Sequence, residues 1–208
     1  MYESLISPSL PAAGRLVRSI SIVFQLYFIS KLLDTIYLIL DTFMTNNITN
    51  PHYNSLWSQF GAALEMLSES IQTCPKDVWE GNQVFSFQTY HTLFFLDYYL
   101  STNPVGFAPP SEFSYSEFDE EPVIVIFSQE MLLTYLAACR QKAQTLILGL
   151  DEQLASQRWI NESKTMDYSI FEILLYNLRH VQHHVGQLNL LLRQHIDHAP
   201  EWIEKASR

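Results

Sequence analysis

The sequence predicts an all-α protein: a four-helix bundle running up-down-down-up, with an extra N-terminal helical segment ahead of it. Three observations lead there. Beyond residue 50 the chain holds four long stretches in which apolar residues recur every three to four positions, the spacing of one helix face. Proline and capping residues stand at the ends of these stretches. A proline-containing segment of about 25 residues separates the second stretch from the third, long enough to cross the bundle and leave those two helices parallel, whereas short connections make neighbours antiparallel.

Residues 1–49 read as an N-terminal extension and residues 50–205 as the bundle. Within the extension, Ile20 to Leu40 is mostly apolar, and a membrane-spanning helix needs about 20 such residues. Ser21, Gln25, Ser30, Lys31, Asp34 and Thr35 interrupt it. Lys31 and Asp34 would sit near mid-bilayer, at roughly 3 kcal/mol each. The stretch therefore reads as an amphipathic helix packed on protein rather than a membrane anchor. No small-residue cleavage site follows it, so a secretory leader is not expected, and the Asn-x-Ser/Thr triplets at Asn47 and Asn161 read as incidental. Met44 is the expected biological start, because a self-sufficient domain begins just after it; a peptide from residues 1–43 of the native protein would contradict that.

Asn50-Pro51 marks the first bundle helix, with proline at its first position. Leu56, Phe60, Ala63, Leu64, Leu67 and Ile71 form one face, and Pro75 stops it. Lys76 to Asn82 reads as a short connection carrying Trp79, with Gly81-Asn82 as a breaker pair. The second helix runs from about Val84 to Leu100 and Pro104 follows it. Residues 102–127 form the irregular crossover, with Pro104, Pro109, Pro110 and Pro122, and Val123 to Phe127 as a short strand or tucked loop. Its acidic run, Glu117 to Glu121, lacks the alternating carboxylates and central glycine of a calcium loop and reads as solvated. Ser128 caps the third helix, with Glu130 in its first turn, and that helix is expected to reach about Ala155. The fourth runs from about Asp167 to His195, burying Ile173 or Leu174, Asn177, His180, Val181, His184, Leu188 and Leu191.

Composition narrows the function. A chain of 208 residues with 48% hydrophobic and 16% charged residues can build a core and is not disordered. Its net charge of −10, with no cluster of Lys and Arg, excludes nucleic acid as an expected partner. Cys74 and Cys139 show no zinc spacing and read as reduced thiols of a cytoplasmic protein. No Ser-His-Asp or Cys-His nucleophile arrangement is evident.

Three of the seven histidines fall within five residues, His180, His183 and His184. His180 and His184 are spaced i, i+4, so their rings share a helix face and can bind one metal ion. Unpaired imidazoles inside a bundle need partners, and a metal satisfies both. His183 competes through i, i+3 pairing with His180, but projects to the edge of the stripe and reads as a solvent or loop contact. His91, amid Phe94, Phe95 and Tyr98, is the best third candidate. His52, His195 and His198 lie near helix ends and should be exposed.

Three pieces then combine: His91 followed by Asp97; a long segment entering Ser-Gln-Glu-Met-Leu-Leu-Thr-Tyr-Leu, Ser128 to Leu136; and His-x-x-x-His-x-Gly-Gln-Leu, carried by His180, His184, Gly186, Gln187 and Leu188. From about His52 to Trp202 the chain resembles the DinB family, damage-inducible-type four-helix bundles related to thiol-dependent S-transferases. Family members often carry arginine where this chain has Val185. The resemblance implies His91, His180 and His184 as ligands of a divalent metal, commonly zinc or nickel, and a homodimer.

Three neutral imidazoles hold zinc, nickel or iron without cancelling its charge, and the open positions take water or a low-molecular-weight thiol. Gln187, Asn177 and Gln88 lie one turn from the ligands and could hydrogen-bond behind them. Asp97 lies almost two turns from His91, placed to support the bundle or a substrate. The expected functions are a metal-dependent thiol S-transferase or hydrolase acting on a small molecule, then a non-catalytic metal-binding or stress-related protein, then a plain bundle.

Overall fold

A computed structural model describes residues 29–37, 50–81, 83–113, 115–119 and 125–207. The chain divides into two compact units, Met1–Thr49 and Asn50–Arg208. In the first, residues 29–37 form helix α1. Ile29, Leu32, Leu33, Ile36 and Tyr37 recur along one face and are exposed, while Lys31 and Asp34 pair at 3.7 Å. The rest of the Ile20 to Leu40 stretch, Asn47 and the expected start at Met44 lie outside the described residues. Among the described residues no helix is long and apolar enough to cross a membrane.

The second unit is mostly helical, in the order α2 (Pro51–Thr73), α3 (Lys76–Gly81), α4 (Gln83–Tyr99), α5 (Gln129–Leu148), α6 (Glu152–Ser156), β1 (Arg158–Ile160), β2 (Asp167–Ser169) and α7 (Ile170–Ile196). Local chemistry sets the ends. Asn50 Oδ1 accepts from the His52 amide at 3.0 Å and Pro51 opens α2. Pro75 forces Cys74 into an extended conformation, which ends it. Ser128 Oγ accepts from Met131 N at 3.2 Å to open α5, and Ser169 Oγ accepts from Glu172 N at 3.1 Å to open α7. Asp197, in the left-handed region at φ 55°, closes α7 through its amide to Arg193 O at 3.1 Å.

Three expected boundaries are corrected. The connection at Lys76 is a helix, α3, because Trp79 is buried and its Nε1 donates to Phe127 O at 2.9 Å. The third helix stops at Leu148 rather than Ala155. Gly149 takes the cap, and Asp151 Oδ1 starts α6 by accepting from Leu154 N at 2.6 Å. The fourth helix begins at Ile170, because Asp167–Ser169 pairs with Arg158–Ile160 as an antiparallel hairpin, Arg158 opposite Ser169. Buried Trp159 anchors that hairpin, donating from Nε1 to Ser101 O at 2.8 Å.

The core lies among the four long helices: α2 packs on α5 and α7, and α4 packs on α5 and α7. Phe60, Leu67, Leu93, Leu132, Leu174 and Leu188 are fully buried there, each worth about 1.5–3 kcal/mol relative to exposure. Polar ties cross this core. Ser70 Oγ donates to Asn189 Oδ1 at 2.8 Å between α2 and α7, and Lys142 Nζ meets Asp97 Oδ1 at 2.6 Å between α5 and α4.

The crossover is pinned by aromatic groups. Tyr90 OH donates to Tyr115 O, Phe127 packs 4.7 Å from the Tyr90 ring, and Phe113 packs 4.8 Å from Tyr135. Positions 125–127 are irregular with Phe127 buried, while Val123 and Ile124 of the expected strand or tucked loop lie outside the described residues. After α7 the chain returns as a strap along α2. Ala206 N donates to Ser58 O at 2.9 Å, and Ser207 Oγ donates to Glu65 Oε1 at 2.6 Å. Gly61 permits this approach, since a Cβ there would stand 2.6 Å from that of Ala206.

Candidate metal centre

His91 stands in the middle of α4, and His180 and His184 one turn apart on α7, the helix packed against it. Ile173, Leu174, Asn177, Val181 and Leu188 bury the same stripe of α7 and turn this face inward. The three rings meet: centroids are 4.5 Å apart for His180 and His184, 4.9 Å for His91 and His184, and 5.6 Å for His91 and His180. One nitrogen of each lies within 4.8 Å of the others, so the cluster could hold a metal ion.

Hydrogen bonds decide which nitrogens face inward. His184 Nδ1 lies 2.7 Å from Gln187 Oε1, an acceptor, and 2.5 Å from the Gln88 amide nitrogen, a donor; with the Nδ1 proton given to Gln187, Nε2 keeps its lone pair. The Gln88 amide nitrogen donates to that same Gln187 oxygen. His91 Nδ1 lies 3.2 Å from Glu117 Oε2, also an acceptor, which frees His91 Nε2. His180 Nε2 sits 3.1 Å from His184 Nε2, while His180 Nδ1 is buried without a partner. Two nitrogen lone pairs cannot face each other at that separation; a proton or a cation must lie between them.

Electrostatics keep the pair neutral. Burial holds His180 well below the usual imidazole range, at about 3, with the neighbouring His184, His91 and His183 rings adding to the effect. Burial likewise lowers His184 to about 4; the Gln187 hydrogen bond opposes this, and His91 and His183 reinforce it. Neutral imidazoles are the form that ligates metal. The donor set fits a divalent ion of the zinc, nickel or iron kind: three imidazoles, two with the outward nitrogen committed to an acceptor, beside an orphaned imidazole nitrogen.

Aromatic side chains wall the cluster. Phe95 lies 4.8 Å from His91 and 5.8 Å from His180, and Tyr99 5.8 Å from His180. The His91 side chain is 29% exposed, so the cluster reaches solvent.

The remaining expected residues divide. Gln187 and Gln88 contact His184, as described. Asn177 does not touch a ligand ring: its Nδ2 donates to Leu96 O at 3.0 Å, and its Oδ1 is buried without a partner. Asp97 supports the helix packing, accepting from Tyr135 OH at 3.0 Å and pairing with Lys142. His183 is exposed, its ring 5.1 Å from that of His184, and lies outside the three-histidine group. His52, His195 and His198 are exposed. Cys74 and Cys139 are buried and unpaired; burial, with Asp77 nearby, pushes the Cys74 thiol up to about 12, and burial raises Cys139 as well. Neither is an activated nucleophile.

Glu117 is the correction. Its place in an acidic run suggests a solvated side chain, yet that side chain is 9% exposed and faces His91. The available signal is its aromatic neighbours: Tyr115 is buried, and Phe118, though half-exposed, sets its ring 5.0 Å from Phe94. Comparison of the chain with family models, curated proteins and solved structures returns no match.

Proposed function

We propose that this chain is a metal-dependent enzyme of the DinB type, with a divalent ion held by Nε2 of His91, His180 and His184 in an up-down-down-up bundle. Its reaction is transfer of a thiol to an electrophile or, through water, hydrolysis. The observation that carries this reading is the 3.1 Å approach of the His180 and His184 Nε2 atoms beside a His91 ring whose Nδ1 is already engaged. A cation among the three accounts for that convergence, and the same three positions carry the family resemblance. When bound, such an ion supplies Lewis-acid activation, lowering the pKa of a thiol or water toward neutrality.

The residues around it suit catalysis better than storage. A non-catalytic ion site calls for closure by side chains, whereas His91 reaches solvent. Phe95 and Tyr99 offer an apolar wall for the carbon skeleton of a small electrophile, and Gln88 with Gln187 hold the His184 ring in place. The ring of contacts among α2, α5, α4 and α7, with a short link before α4 and a long crossover after it, supports the bundle topology. The two unpaired cysteines support a reducing, cytoplasmic setting.

Elemental analysis of protein purified without a histidine tag tests the reading. About one metal ion per chain is expected for a single three-ligand site, and none in the triple His91/His180/His184→Ala variant. A full equivalent retained by that variant would refute it. Screening the loaded protein with thiols and electrophiles then separates transferase from hydrolase.

A further inference from the structure

We infer that Glu117 is the positioning residue of the metal centre: its carboxylate accepts the Nδ1 proton of His91 and so presents the His91 Nε2 lone pair to the ion. The inference rests on the metal reading above and extends it to a residue 26 positions from His91, on a different part of the fold.

The crossover is folded to deliver this one side chain. On one side of Glu117, the Tyr115 carbonyl is held by Tyr90 OH from α4. On the other, the Phe118 ring packs 5.0 Å from Tyr98 and 5.9 Å from Phe95. Between them a tight turn is closed by Asp119 N donating to Ser116 O at 3.0 Å and by Ser116 N donating to Asp119 Oδ2 at 3.1 Å. The carboxylate that results lies 3.2 Å from His91 Nδ1.

A cation close by would offset the cost of its burial. Glu117 Oε1 is buried with no hydrogen-bond partner, and a buried carboxylate with one oxygen unsatisfied is costly. A divalent ion on the far side of the His91 ring offsets that charge through the imidazole. A carboxylate behind a ligating histidine fixes the ring's tautomer and orientation and raises its basicity. Gln187 plays the corresponding part for His184 with a neutral amide, whereas His180 Nδ1 has no such support. Glu117 is therefore the one anionic group in direct contact with the three rings among the described residues.

The test is zinc affinity of the full chain, stripped of metal and titrated with Zn²⁺ against a chromophoric chelator. Glu117→Ala is expected to weaken binding about 10–100-fold while helical circular dichroism is unchanged. Glu117→Gln, whose amide oxygen still accepts a ring proton, is expected to lie nearer wild type than alanine. Asp119→Ala removes one bond of the turn that delivers Glu117 and is expected to weaken binding, but less than Glu117→Ala does. In ¹⁵N spectra of the zinc-loaded protein, His91 should carry a proton on Nδ1 that is protected from exchange in wild type and Glu117→Gln, and unprotected in Glu117→Ala.

Full affinity in Glu117→Ala, or zinc bound through His91 Nδ1, would each overturn the positioning role and leave the metal site standing. Glu117→Gln as weak as alanine would overturn it too, marking the negative charge itself as the requirement. A wild-type chain that binds no zinc would bring down the metal reading and this one with it.

Discussion

Helix α4 carries two polar clusters six residues apart, and they are built on opposite terms. At Asp97 every charge meets its complement. Lys142 Nζ lies 2.6 Å from one carboxylate oxygen, Tyr135 OH 3.0 Å from the other, and Ser101 Oγ 3.0 Å from the lysine. At His91 like meets like: three imidazoles crowd together, two nitrogens face at 3.1 Å, and His180 Nδ1 and Glu117 Oε1 are left without partners. The first cluster is complete as it stands and ties α4 to α5. The second leaves buried polar atoms without partners and could hold a metal ion among its rings. The contrast between the two lies in the hydrogen bonding rather than in burial or residue type.

The largest effect expected from breaking this contrast is on metal content. His184→Ala should abolish stoichiometric metal while the helical fold persists; Asp97→Ala should leave the metal in place. Elemental analysis of both variants checks this, and metal lost from Asp97→Ala would erase the distinction. Next in size is stability. Asp97→Ala strands the Lys142 ammonium and the Tyr135 hydroxyl, and should lower unfolding free energy by about 2 kcal/mol in urea titrations.

A smaller, pH-dependent effect sharpens the comparison. In the folded, metal-free chain His180 and His184 sit at about 3 and about 4, below the usual 6.5. Between those values the unfolded chain binds more protons than the folded one, so stability rises with pH. The stabilisation is present above pH 6.5 and is lost as pH falls through about 4 for His184 and about 3 for His180. Urea midpoints measured from pH 7 down to pH 4 should fall, and fall less steeply in a His180→Ala/His184→Ala variant. The smallest effect belongs to His183→Ala, whose exposed ring is adjacent to the cluster without being part of it. Its metal content should equal wild type.

The two clusters also differ in how far they could be read from the chain. The i, i+4 spacing of His180 and His184, inside an apolar stripe, is a local pattern, and local patterns survive folding. The caps at Asn50, Ser128 and Ser169 belong to the same class, although periodicity extending back to Asp167 masks Ser169 as the start of α7. The break after Leu148 is hidden in the same way: apolar spacing continues across Gly149, while the Asp151 cap starts a separate short helix. The hairpin of Arg158–Ile160 with Asp167–Ser169 is too short for a two-residue alternation to register and depends on Trp159 reaching Ser101. Glu117 was the hardest to see. It lies in a segment without periodicity, and its meeting with His91 depends on where Tyr90, Phe94 and Phe95 hold the crossover. The Asp97 network was equally invisible, since Lys142 and Tyr135 lie about forty residues away in sequence.

The strap along α2 has a consequence in time. Ser207 reaches back 142 residues to Glu65, and Ala206 fits against Gly61. During synthesis α2 emerges well before the strap. The notch at Gly61 therefore cannot be covered by Ala206 until the chain beyond α7 has been made.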